Sequence, residues 1–382
     1  MKVLFITRGF PSDKNPMAGN YESVQAKAIA SRGHEVSVIS IYEKSFWSFF
    51  RWMRVSHRVV DRVHVYESCT AKISIPFIRR CNKYIRKNIY RRALERCEKE
   101  QGKPDIVHAH IISTASFAIF FKEDYHLPYV ITEHWTKVNT SDVPVWLRRM
   151  SAAYHKADRV ICVSQVLADS LLRNFQIESV VINNMVSDIF FKSAKNERKD
   201  QSFRFIAVGA FRRNKGFDIL VEAFAQCRFS SDVSLCIVGD GEEFASVEAK
   251  IRTYDLKRQV KLMGTRSPEE VSELLCNSDC FVLSSRLETF AIVVIEAMAK
   301  GLPVIATRCG GPETFVRPSE GLLIDKENVE QLSHALQYMV SRHSDYDSEH
   351  IRKYCHDHFS EDAIAQQIID VYNDVLKNHK QA

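Results

Sequence analysis

The feature that most constrains the fold is a regular alternation of short apolar runs with longer amphipathic segments along the whole chain. In the first half the apolar runs are Lys2–Thr7, Glu35–Ser40, Ile106–His110, Tyr129–Thr132, Arg159–Val163 and Val180–Ile182. The second half repeats the rhythm at Phe203–Gly209, Ser234–Gly239, Val260–Met263, Cys280–Ser284, Pro303–Thr307 and Gly321–Ile324. Strands that alternate with helices predict parallel sheets covered by helices on their faces.

The polar segment Lys192–Ser202 separates the two halves and predicts a linker. A chain of 382 residues is also long enough for two separate cores. The sequence therefore predicts an N-terminal domain over 1–192, a linker over 193–202 and a second domain over 203–360. We expect the C-terminal helix, 361–382, to pack back on the first domain. Ligands of such sheets lie outside the carboxyl ends of the strands, so two facing sheets would share one cleft.

The composition, with 45% apolar and 26% charged residues, is that of an ordinary globular protein and excludes disordered or fibrous classes. The N-terminal apolar run, Val3–Ile6, is too short for the core of a signal peptide. No stretch approaches the ~18 apolar residues of a membrane span. The ten cysteines follow no disulfide framework, which predicts reduced thiols in a cytoplasmic protein.

Two carboxylates, Glu288 and Glu296, lie at the ends of a segment that contains no basic residue. Burying an unpaired carboxylate is costly, so the segment needs an explanation. Glu288 follows a predicted strand and precedes a helix, Ile292–Lys300, whose first amides form an anion site. A phosphate at these amides, with sugar hydroxyls on either side, would use both carboxylates. The alternative is that Glu288 only complements the helix dipole and Glu296 meets a donor in the core.

The spacing of Glu288 and Glu296, followed by "EAMAKGLPVIAT" and "GGPE", resembles the nucleotide-sugar site of retaining glycosyltransferases of family four. These enzymes have the GT-B fold, an α/β architecture of two doubly wound, Rossmann-like domains that face each other across a cleft. The resemblance implies that the domain over 1–192 is the acceptor side and that the domain over 203–360 binds the nucleotide-sugar. The likeness continues in "VGAFRRNKGFDILVEAF", "LCIVGDGEEF" and "VKLMGTRSPEEVSELLCNSDCFVLSS". In the first half it includes "GNYESVQAKAIASRGHEVSVIS", "PDIVHAH", "ITEHW" and "ADRVICVSQVLADSL". Motifs in the family's order therefore cover nearly the whole chain.

The resemblance implies a role for each matching residue. Lys215 would neutralise the donor pyrophosphate, as phosphate-binding lysines do. Glu296 would bind the ribose hydroxyls, and Glu288 would contact the transferred sugar. His134 would lie under that sugar from the opposite domain, so Glu288 and His134 are the predicted catalytic residues. The remaining predicted donor-binding residues are Gly19, Asn20, Gly209, Arg212, Arg213, Gly264, Phe290, Ala291 and Ile292.

The chain departs from the family pattern at three of these places. Ala210 occupies the position of a common arginine, and either Arg212 or Arg213 would replace it; the sequence leaves open which. Ala291 stands where the family usually has glycine, although its backbone amide still serves. Asn20 fills the place of the second glycine beside Gly19, whose role is a close approach of the backbone to the donor phosphates.

Several patterns resemble metal sites. Asp345-Tyr346-Asp347 has the DxD form of metal-dependent glycosyltransferases, but its polar surroundings predict a solvated turn. His108 and His110 end a buried strand, where packed or cleft-lining side chains are expected. The family resemblance implies that basic side chains and a helix terminus replace the ion. The prediction is that the protein needs no metal and no other cofactor.

Residues 43–100 carry 15 basic and 6 acidic side chains, which accounts for most of the positive charge of the first half. Large apolar side chains accompany them at Phe46, Trp47, Phe49, Phe50, Trp52 and Met53, and basic ones at Arg79, Arg80, Lys83, Arg86 and Lys87. The alternative interpretation is a core-facing helix with a solvated basic face. A basic surface rich in aromatic residues favours an anionic membrane surface. Nucleic acid is not predicted, because no recognised binding module accompanies the charge.

The predicted function is transfer of a sugar from a UDP- or GDP-sugar to a hydroxyl of a glycan or lipid-linked acceptor. The anomeric configuration would be retained, and the leaving phosphate would take the acceptor proton. Such a protein would work in cell-surface polysaccharide synthesis, in the cytoplasm and peripherally at the membrane. Two alternatives remain open, a nucleotide-sugar epimerase of the same fold and a catalytically idle scaffold that binds glycans or nucleotides.

Overall fold

The computed structural model describes residues 1–12, 15, 18–44, 54–71, 76–140, 142–192 and 202–381, without the side chains of 44, 71 and 76–83. It divides the chain into two compact units. Unit 1 comprises Met1–Ile182 and Ile364–Ala382, and unit 2 comprises Asn183–Ala363. The unit boundary thus precedes the predicted linker, which lies outside the described residues except for Ser202. None of the described helices combines the length and apolarity that crossing a membrane requires.

Unit 1 is built on an eight-stranded sheet in the order β3-β4-β2-β1-β5-β6-β7-β8. Its strands are β1 Lys2–Thr7, β2 Glu35–Lys44, β3 Ser56–Val60, β4 Val63–Ala71, β5 Ile106–His110, β6 Tyr129–Glu133, β7 Arg159–Cys162 and β8 Val180–Val181. Its helices are α1 Asn20–Ser31, α2 Pro76–Gln101, α3 Ile111–Tyr125, α4 Val145–Arg148, α5 Ala152–His155 and α6 Gln165–Phe175. The last helix of the chain, α13 Glu361–Gln381, joins this unit from Ile364 onward.

One hairpin interrupts the parallel pattern of unit 1. Strands β3 and β4 pair antiparallel, and β4 pairs parallel with β2. Asp61 and Arg62 form the tight turn between them, both with left-handed backbones at φ 48° and 67°. The sequence of residues 43–100 predicted only a basic surface with a helix, and that prediction was incomplete. All other neighbouring strands of the sheet pair parallel, as predicted.

Unit 2 contains a six-stranded, fully parallel sheet in the order β11-β10-β9-β12-β13-β14. Its strands are β9 Phe203–Val208, β10 Val233–Val238, β11 Val260–Leu262, β12 Cys280–Leu283, β13 Val304–Thr307 and β14 Gly321–Ile324. Its helices are α7 Phe217–Cys227, α8 Phe244–Thr253, α9 Pro268–Cys276, α10 Ile292–Ala299, α11 Val329–Arg342 and α12 Ser348–Phe359. Every strand predicted for this half is present, with ends that shift by a residue or so.

Both sheets reverse their strand order at one point. In unit 1 the chain leaves β1 for β2 on one side and later continues from β5 on the other side. In unit 2 the corresponding neighbours are β9 and β12. At such a point the loops after two adjacent strands turn away from each other and leave a crevice for a ligand. The two crevices lie beyond the carboxyl ends of β1 and β5 and of β9 and β12.

Candidate functional site

An ion pair lies at the crevice of unit 2. Lys215 follows β9 in a short 3-10 helix, Arg213–Lys215, and Glu288 follows β12. The Lys215 Nζ donates to Glu288 Oε1 at 2.6 Å, and the Ser285 hydroxyl donates to the same oxygen at 2.7 Å. Glu288 is only 7% exposed, so these contacts offset the cost of its burial. The basic partner that the local sequence lacks is therefore supplied from 73 residues upstream.

A glycine brings the loop that carries Lys215 close to β12. Gly216 has a left-handed backbone at φ 67°, and it directly precedes α7. A Cβ atom at this position would lie 2.1 Å from the Ser284 carbonyl oxygen, far inside van der Waals contact. Only glycine fits this approach, which sets the short distance between the two strand-end loops.

The N-terminus of α10 points its first amides into the same loop region. Ala291 is the N-cap residue with φ 74° and ψ 67°, and no side chain caps the helix. Phe290 is fully buried and Ala291 nearly so, whereas Ile292 opens the helix half-buried. A helix that begins without a side-chain cap leaves amide donors for an anion. The phosphate site at Phe290, Ala291 and Ile292 stays a prediction.

Glu296 lies in the second turn of α10, half-buried. Among the residues that the structure describes, it has no hydrogen bond and no ion pair. Burial raises the pKa of this carboxyl from 4.5 to about 7. A carboxylate that lacks protein partners can accept hydrogen bonds from the hydroxyls of a ligand, as predicted for the ribose.

Arg286 was missed by the sequence analysis, yet it ties the loops of this site together. Its guanidinium binds both carboxylate oxygens of Asp218 at 2.9 and 2.8 Å and also contacts Glu327 at 3.1 Å. Its Nη1 donates to the Arg213 carbonyl at 2.6 Å. Hydrogen bonding to Asp218 raises the pKa of Arg286 further above its usual value. The signal available in the sequence was a basic residue between the strand and Glu288.

The other predicted donor residues of unit 2 occupy strand ends. Arg212 and Arg213 are exposed, and neither side chain contacts a carboxylate within the described part of the chain. Which of them replaces the arginine absent at Ala210 therefore stays open. Gly209 follows β9 directly, and a Cβ there would lie 3.5 Å from Lys215 Cδ. Gly264 follows β11 with φ 67°, and a Cβ there would have no heavy atom within 4 Å.

In unit 1, His134 directly follows β6 and is half-buried. Burial, together with the charge of Arg8, lowers the pKa of His134 to about 4. Its imidazole is therefore neutral near physiological pH and can donate one hydrogen bond and accept another. The ring centroid of Tyr21 lies 5.1 Å from that of His134, at an edge-on angle.

The strand end before His134 is held by a buried carboxylate that the sequence analysis did not identify. Glu133 is fully buried in β6 and accepts hydrogen bonds from the amides of Ile112, His134 and Trp135 at 2.9 to 3.0 Å. The Tyr154 hydroxyl also donates to it. These bonds fix the backbone from which His134 projects. The charge pattern gave no signal for Glu133, because its partners are backbone amides brought together by the fold.

Gly19 and Asn20 lie at the start of α1, after β1. Gly19 has φ 63°, and a Cβ there would lie 2.1 Å from the Gly9 carbonyl oxygen. Glycine is thus required by a contact inside unit 1 itself. The predicted approach of Gly19 and Asn20 to the donor phosphates remains a prediction.

One group of side chains in unit 1 could hold a metal ion. A carboxylate oxygen of Glu22 and a ring nitrogen each of His110 and His134 lie within 4.8 Å of one another. His110 is fully buried, and neither of its ring nitrogens has a hydrogen-bond partner among the described residues. Two imidazoles and a carboxylate suit Zn²⁺ or a similar ion. The expectation that no metal is needed stays a prediction.

Other patterns that resembled metal sites have structural partners. The ring nitrogens of His108 lie 2.5 Å from the Tyr372 hydroxyl and 2.7 Å from the Thr132 hydroxyl, so this residue is packed. Asp347, from the DxD pattern, caps α12 by accepting from the amides of Glu349 and His350 at 2.9 and 3.1 Å. Asp345 ends a short 3-10 helix, His343–Asp345, so the predicted turn is a 3-10 helix followed by the N-cap of α12.

The basic surface predicted over 43–100 is only partly described. Arg86 pairs with Glu43 at 3.2 Å, and Lys87 pairs with Asp124 at 3.1 Å. Both cations therefore have acidic partners within unit 1. The remaining side chains of the prediction lie outside the described residues: Phe46, Trp47, Phe49, Phe50, Trp52, Met53, Arg79, Arg80 and Lys83. Membrane contact stays a prediction.

Comparison with protein families gives two matches that together cover most of the chain. Residues 24–188 match the model described as Glycosyltransferase Family 4. Residues 188–356 match the model described as Glycosyl transferases group 1. The first model covers most of unit 1, and the second covers the part of unit 2 that contains Lys215, Glu288 and Glu296.

The curated relatives share 25–28% sequence identity with this chain. An uncharacterized glycosyltransferase of Methanocaldococcus jannaschii is 28% identical over 62% of this chain and 66% of its own length. A phosphatidylinositol N-acetylglucosaminyltransferase subunit of Saccharomyces cerevisiae is 28% identical over 56% of this chain and 50% of its own. A putative teichuronic acid biosynthesis glycosyltransferase of Bacillus subtilis is 25% identical over 88% of both chains. The chain thus spans between half and two thirds of the first two relatives.

Solved structures share the fold at low sequence identity. Sucrose-phosphate synthase of Thermosynechococcus elongatus superposes with a TM-score of 0.79 at 20% identity, over 99% of this chain and 100% of that one. HepE of Anabaena, solved in complex with UDP, superposes with a TM-score of 0.72 at 18% identity, over 98% and 100%. At this identity the likeness establishes the architecture.

Proposed function

We propose that this chain, which belongs to the glycosyltransferases of group 1 and family 4 and has the GT-B fold, moves a sugar from a UDP- or GDP-sugar to an acceptor hydroxyl with retention of configuration. The proposal rests on the group of charged side chains and helix amides that lie together at the switch point of unit 2. Lys215, Glu288 and the first turn of α10 meet there beyond the ends of β9 and β12. A cation, a helix terminus and two carboxylates on one crevice suit a diphosphate flanked by hydroxylated rings.

The proposed chemistry assigns each group a task. Lys215 and the amides at Phe290–Ile292 stabilise the negative charge that develops on the leaving diphosphate. The diphosphate oxygen takes the proton of the acceptor hydroxyl on the face from which it departs, which retains the anomeric configuration. Glu288 and His134 contact the transferred sugar, and Glu296 holds the ribose. Because Lys215 and these amides compensate the negative charge of the leaving diphosphate, the proposed mechanism requires no metal ion.

The proposed acceptor is a glycan or lipid-linked sugar of a cell-surface polysaccharide. The name of the Bacillus subtilis relative, which refers to teichuronic acid biosynthesis, supports this class. UDP in the HepE structure supports a nucleotide-sugar donor. We further propose that the protein works in the cytoplasm, peripherally at an anionic membrane surface that residues 43–100 contact.

The test is a donor screen with the purified full chain. UDP- and GDP-sugars are first ranked by the rise in melting temperature that they cause, because a ligand of the native state stabilises it by mass action. The best donor is then incubated with candidate acceptors, with and without EDTA, and the product anomer is determined by NMR. We expect nucleotide release that depends on acceptor, resists EDTA and gives the retained anomer. Donor isomerisation would indicate an epimerase instead, and binding without turnover would indicate a scaffold.

Membrane contact is tested separately by sedimentation with vesicles. We expect the protein to pellet with vesicles that contain anionic lipid and to be released as salt rises, because screening shortens electrostatic reach to ~8 Å at physiological ionic strength. Neutral replacement of Arg79, Arg80 and Lys83 should weaken the attachment, whereas replacement of the internally paired Lys87 should matter less. Equal partition to neutral and anionic vesicles would contradict the proposal.

A further inference from the structure

Three side chains of unit 1 meet from three separate elements. Glu22 lies in the first turn of α1, His110 is the last residue of β5, and His134 directly follows β6. A carboxylate oxygen of Glu22 and one ring nitrogen of each histidine all lie within 4.8 Å of one another. Since β5 and β6 are paired neighbours in the sheet, the fold rather than local spacing brings these groups together. We call them the histidine cluster.

His110 is the member of the histidine cluster that most needs a ligand. Its side chain is fully buried, and its two ring nitrogens have no hydrogen-bond partner in the part of the chain that the structure describes. The ring stacks on His108 and on Phe5, with centroids 4.6 and 5.4 Å away, which fixes its plane. Buried polar atoms almost always have a partner. A bound ion would supply one to a rigid imidazole whose nitrogen lies among other metal-ligating atoms.

The backbone beside His110 is held in a rare conformation. Ile111, the next residue, has φ 60°, and its side chain is nearly fully buried. A positive φ is unfavourable for a β-branched residue and persists only where the surrounding structure imposes it, often beside a ligand site. The sharp turn from β5 into α3 therefore fixes the position from which the His110 ring extends.

The spacing of the two imidazoles in the histidine cluster fits a shared ion. The ring centroids of His110 and His134 lie 5.7 Å apart, with the ring planes tilted by 59°. At a Zn–N distance of about 2.1 Å, an ion lies about 3.2 Å from each centroid, so two rings on one tetrahedral ion have centroids about 5.3 Å apart. The observed separation is close to that value.

Glu22 completes a set of three protein ligands. Ligand atoms around a tetrahedral Zn²⁺ lie about 3.4 Å apart, so the atoms of the cluster, now within 4.8 Å, have to close by at most about 1.4 Å. The Glu22 side chain is half-buried and has several rotatable bonds, which permit this movement. Water would take the fourth position, as in zinc sites that exchange a ligand.

The ligand types indicate which ion fits. Imidazole nitrogens suit Zn²⁺ and neighbouring transition metals, whereas Mg²⁺ and Ca²⁺ prefer sites built from oxygen ligands. The histidine cluster offers two ring nitrogens and one carboxylate, so it should select Zn²⁺ over Mg²⁺.

We propose that Glu22, His110 and His134 bind a Zn²⁺ ion, and that this ion inhibits sugar transfer by holding His134. The proposal rests on the function proposed above, in which the His134 imidazole contacts the transferred sugar. A ring nitrogen that binds an ion cannot accept a hydrogen bond from a sugar hydroxyl at the same time, because its lone pair is engaged. The ion is thus a ligand that lowers activity, and the transfer reaction itself still needs no metal.

The first test measures Zn²⁺ binding to the full chain by calorimetry, after treatment with EDTA and buffer exchange. We expect one Zn²⁺ per chain and no competition from Mg²⁺, and Co²⁺ in its place should give the visible absorption of a tetrahedral site. Glu22→Gln and His110→Gln should each weaken Zn²⁺ binding about a hundredfold, because losing a ligand costs at least as much as losing an outer-shell partner. If the buried His110 variant melts at a lower temperature, the half-buried Glu22 variant decides.

The matched control is His57→Gln, in a second group of histidines and a carboxylate of unit 1. His57 Nε2 lies 3.1 Å from His64 Nδ1, and His57 Nδ1 lies 3.0 Å from a carboxylate oxygen of Glu100. This replacement should leave Zn²⁺ affinity unchanged. A loss of affinity in His57→Gln but not in Glu22→Gln, or binding through cysteine thiolates seen as charge-transfer bands of Co²⁺, would overturn the proposal.

Turnover with the donor and acceptor found in the screen tests the inhibition. Saturating Zn²⁺ should lower wild-type turnover about tenfold or more, because the transferred sugar loses its contact with His134, and EDTA should restore it. Glu22→Gln should keep wild-type turnover without Zn²⁺ and resist its addition. Zn²⁺ also binds free nucleotides, but that effect is equal for both proteins. Equal inhibition of wild type and Glu22→Gln would overturn the inhibitory role.

The binding and turnover measurements separate this proposal from the transferase function. A wild type that binds Zn²⁺ through Glu22 but transfers no sugar from any donor would refute the transferase function and leave the metal site. A wild type that transfers sugar, with Zn²⁺ affinity equal to that of Glu22→Gln, would refute the metal site and leave the transferase function.

Discussion

Lys215 Nζ and Glu288 Oε1 lie 2.6 Å apart and join the loops after β9 and β12. The proposed donor would separate their tasks, because its diphosphate needs the lysine and its sugar hydroxyls need the carboxylate. Donor binding then replaces one ion pair by two charge-assisted contacts in the same crevice. The ion pair gives each of the two charged groups a partner within unit 2.

Glu288→Gln should lower turnover about a hundredfold while nucleoside diphosphate affinity stays equal or rises. The reason is that Lys215 loses its competing carboxylate, whereas the transferred sugar loses a contact that matters in the transition state. Affinity is measured by calorimetry with the nucleotide found in the donor screen, and turnover by nucleotide release. Glu222→Gln is the matched control, because Glu222 pairs with Lys250 at 2.5 Å away from the strand ends. Parallel losses of affinity and turnover in Glu288→Gln would refute separate roles.

Arg286→Lys should weaken nucleotide binding about tenfold, although the proposed site places no contact between residue 286 and the nucleotide. A lysine cannot reproduce the bidentate bond to Asp218 and the simultaneous bond to the Arg213 carbonyl, so the loop that carries Lys215 becomes less ordered. Because the proposed function places the Lys215 loop on the diphosphate, we expect the donor KM to rise more than kcat falls. Arg252→Lys, at an exposed pair with Glu248, controls for the substitution itself. A drop in melting temperature with unchanged donor KM would make Arg286 purely structural.

The sheet strands were predictable because strands of parallel sheets are buried on both faces and form continuous apolar runs. The β3–β4 hairpin was missed because its turn is Asp61-Arg62, which lacks the Asn-Gly or Asp-Gly signal of tight hairpins. Both residues also lie in the basic region 43–100, whose charge predicts a surface rather than a pair of strands. Local sequence signals therefore identified the crossovers and failed at an unusual turn.

At the candidate site, the sequence indicated that burying the Glu288 carboxylate is costly, but it did not indicate which cation pairs with it. Lys215 was assigned to the phosphate by resemblance, and nothing in the local pattern indicated its bond to Glu288, since the fold brings the two together over 73 residues. The same limit explains Arg286 and Glu133, whose partners are remote side chains and backbone amides. The residues proposed to bind the donor were therefore easier to identify from the sequence than the residues that hold their loops in place.

Ala291→Gly should stabilise the protein by about 0.5–1 kcal/mol, because an alanine at φ 74° occupies a conformation that costs little only for glycine. The melting temperature is expected to rise by roughly 2 °C for a domain of this size. Nucleotide affinity should stay within about twofold, since the amide that serves the anion is retained. Ala297→Gly, inside the same helix, should instead destabilise by about 1 kcal/mol. A lower melting temperature for Ala291→Gly would show that the alanine methyl group contributes more than its backbone strain costs.

Glu296→Gln tests the carboxylate whose pKa burial raises from 4.5 to about 7. The folded chain holds this proton more tightly than the unfolded chain, so the stability that it contributes is complete below about pH 4.5 and is lost as pH rises through about 7. The glutamine has no such titration. Near pH 8 the variant should therefore be more stable than the wild type, on the order of 1–3 kcal/mol, and near pH 4.5 the two should converge.

Ionisation of Glu296 should also affect nucleotide binding, but in the opposite direction: it lowers the stability of the folded chain and should raise the affinity for the nucleotide. In the proposed complex the ribose hydroxyls donate to the Glu296 carboxylate, so wild-type affinity for the nucleotide should rise as pH increases through about 7. Glu296→Gln should bind about fivefold to tenfold more weakly near pH 8, because a neutral amide oxygen is the poorer acceptor. The pH dependence is taken as the difference between variant and wild type, which cancels titration of the phosphates themselves. A variant that is more stable near pH 8 yet binds the nucleotide as tightly as the wild type would place the ribose elsewhere, because burial alone would then explain the raised pKa.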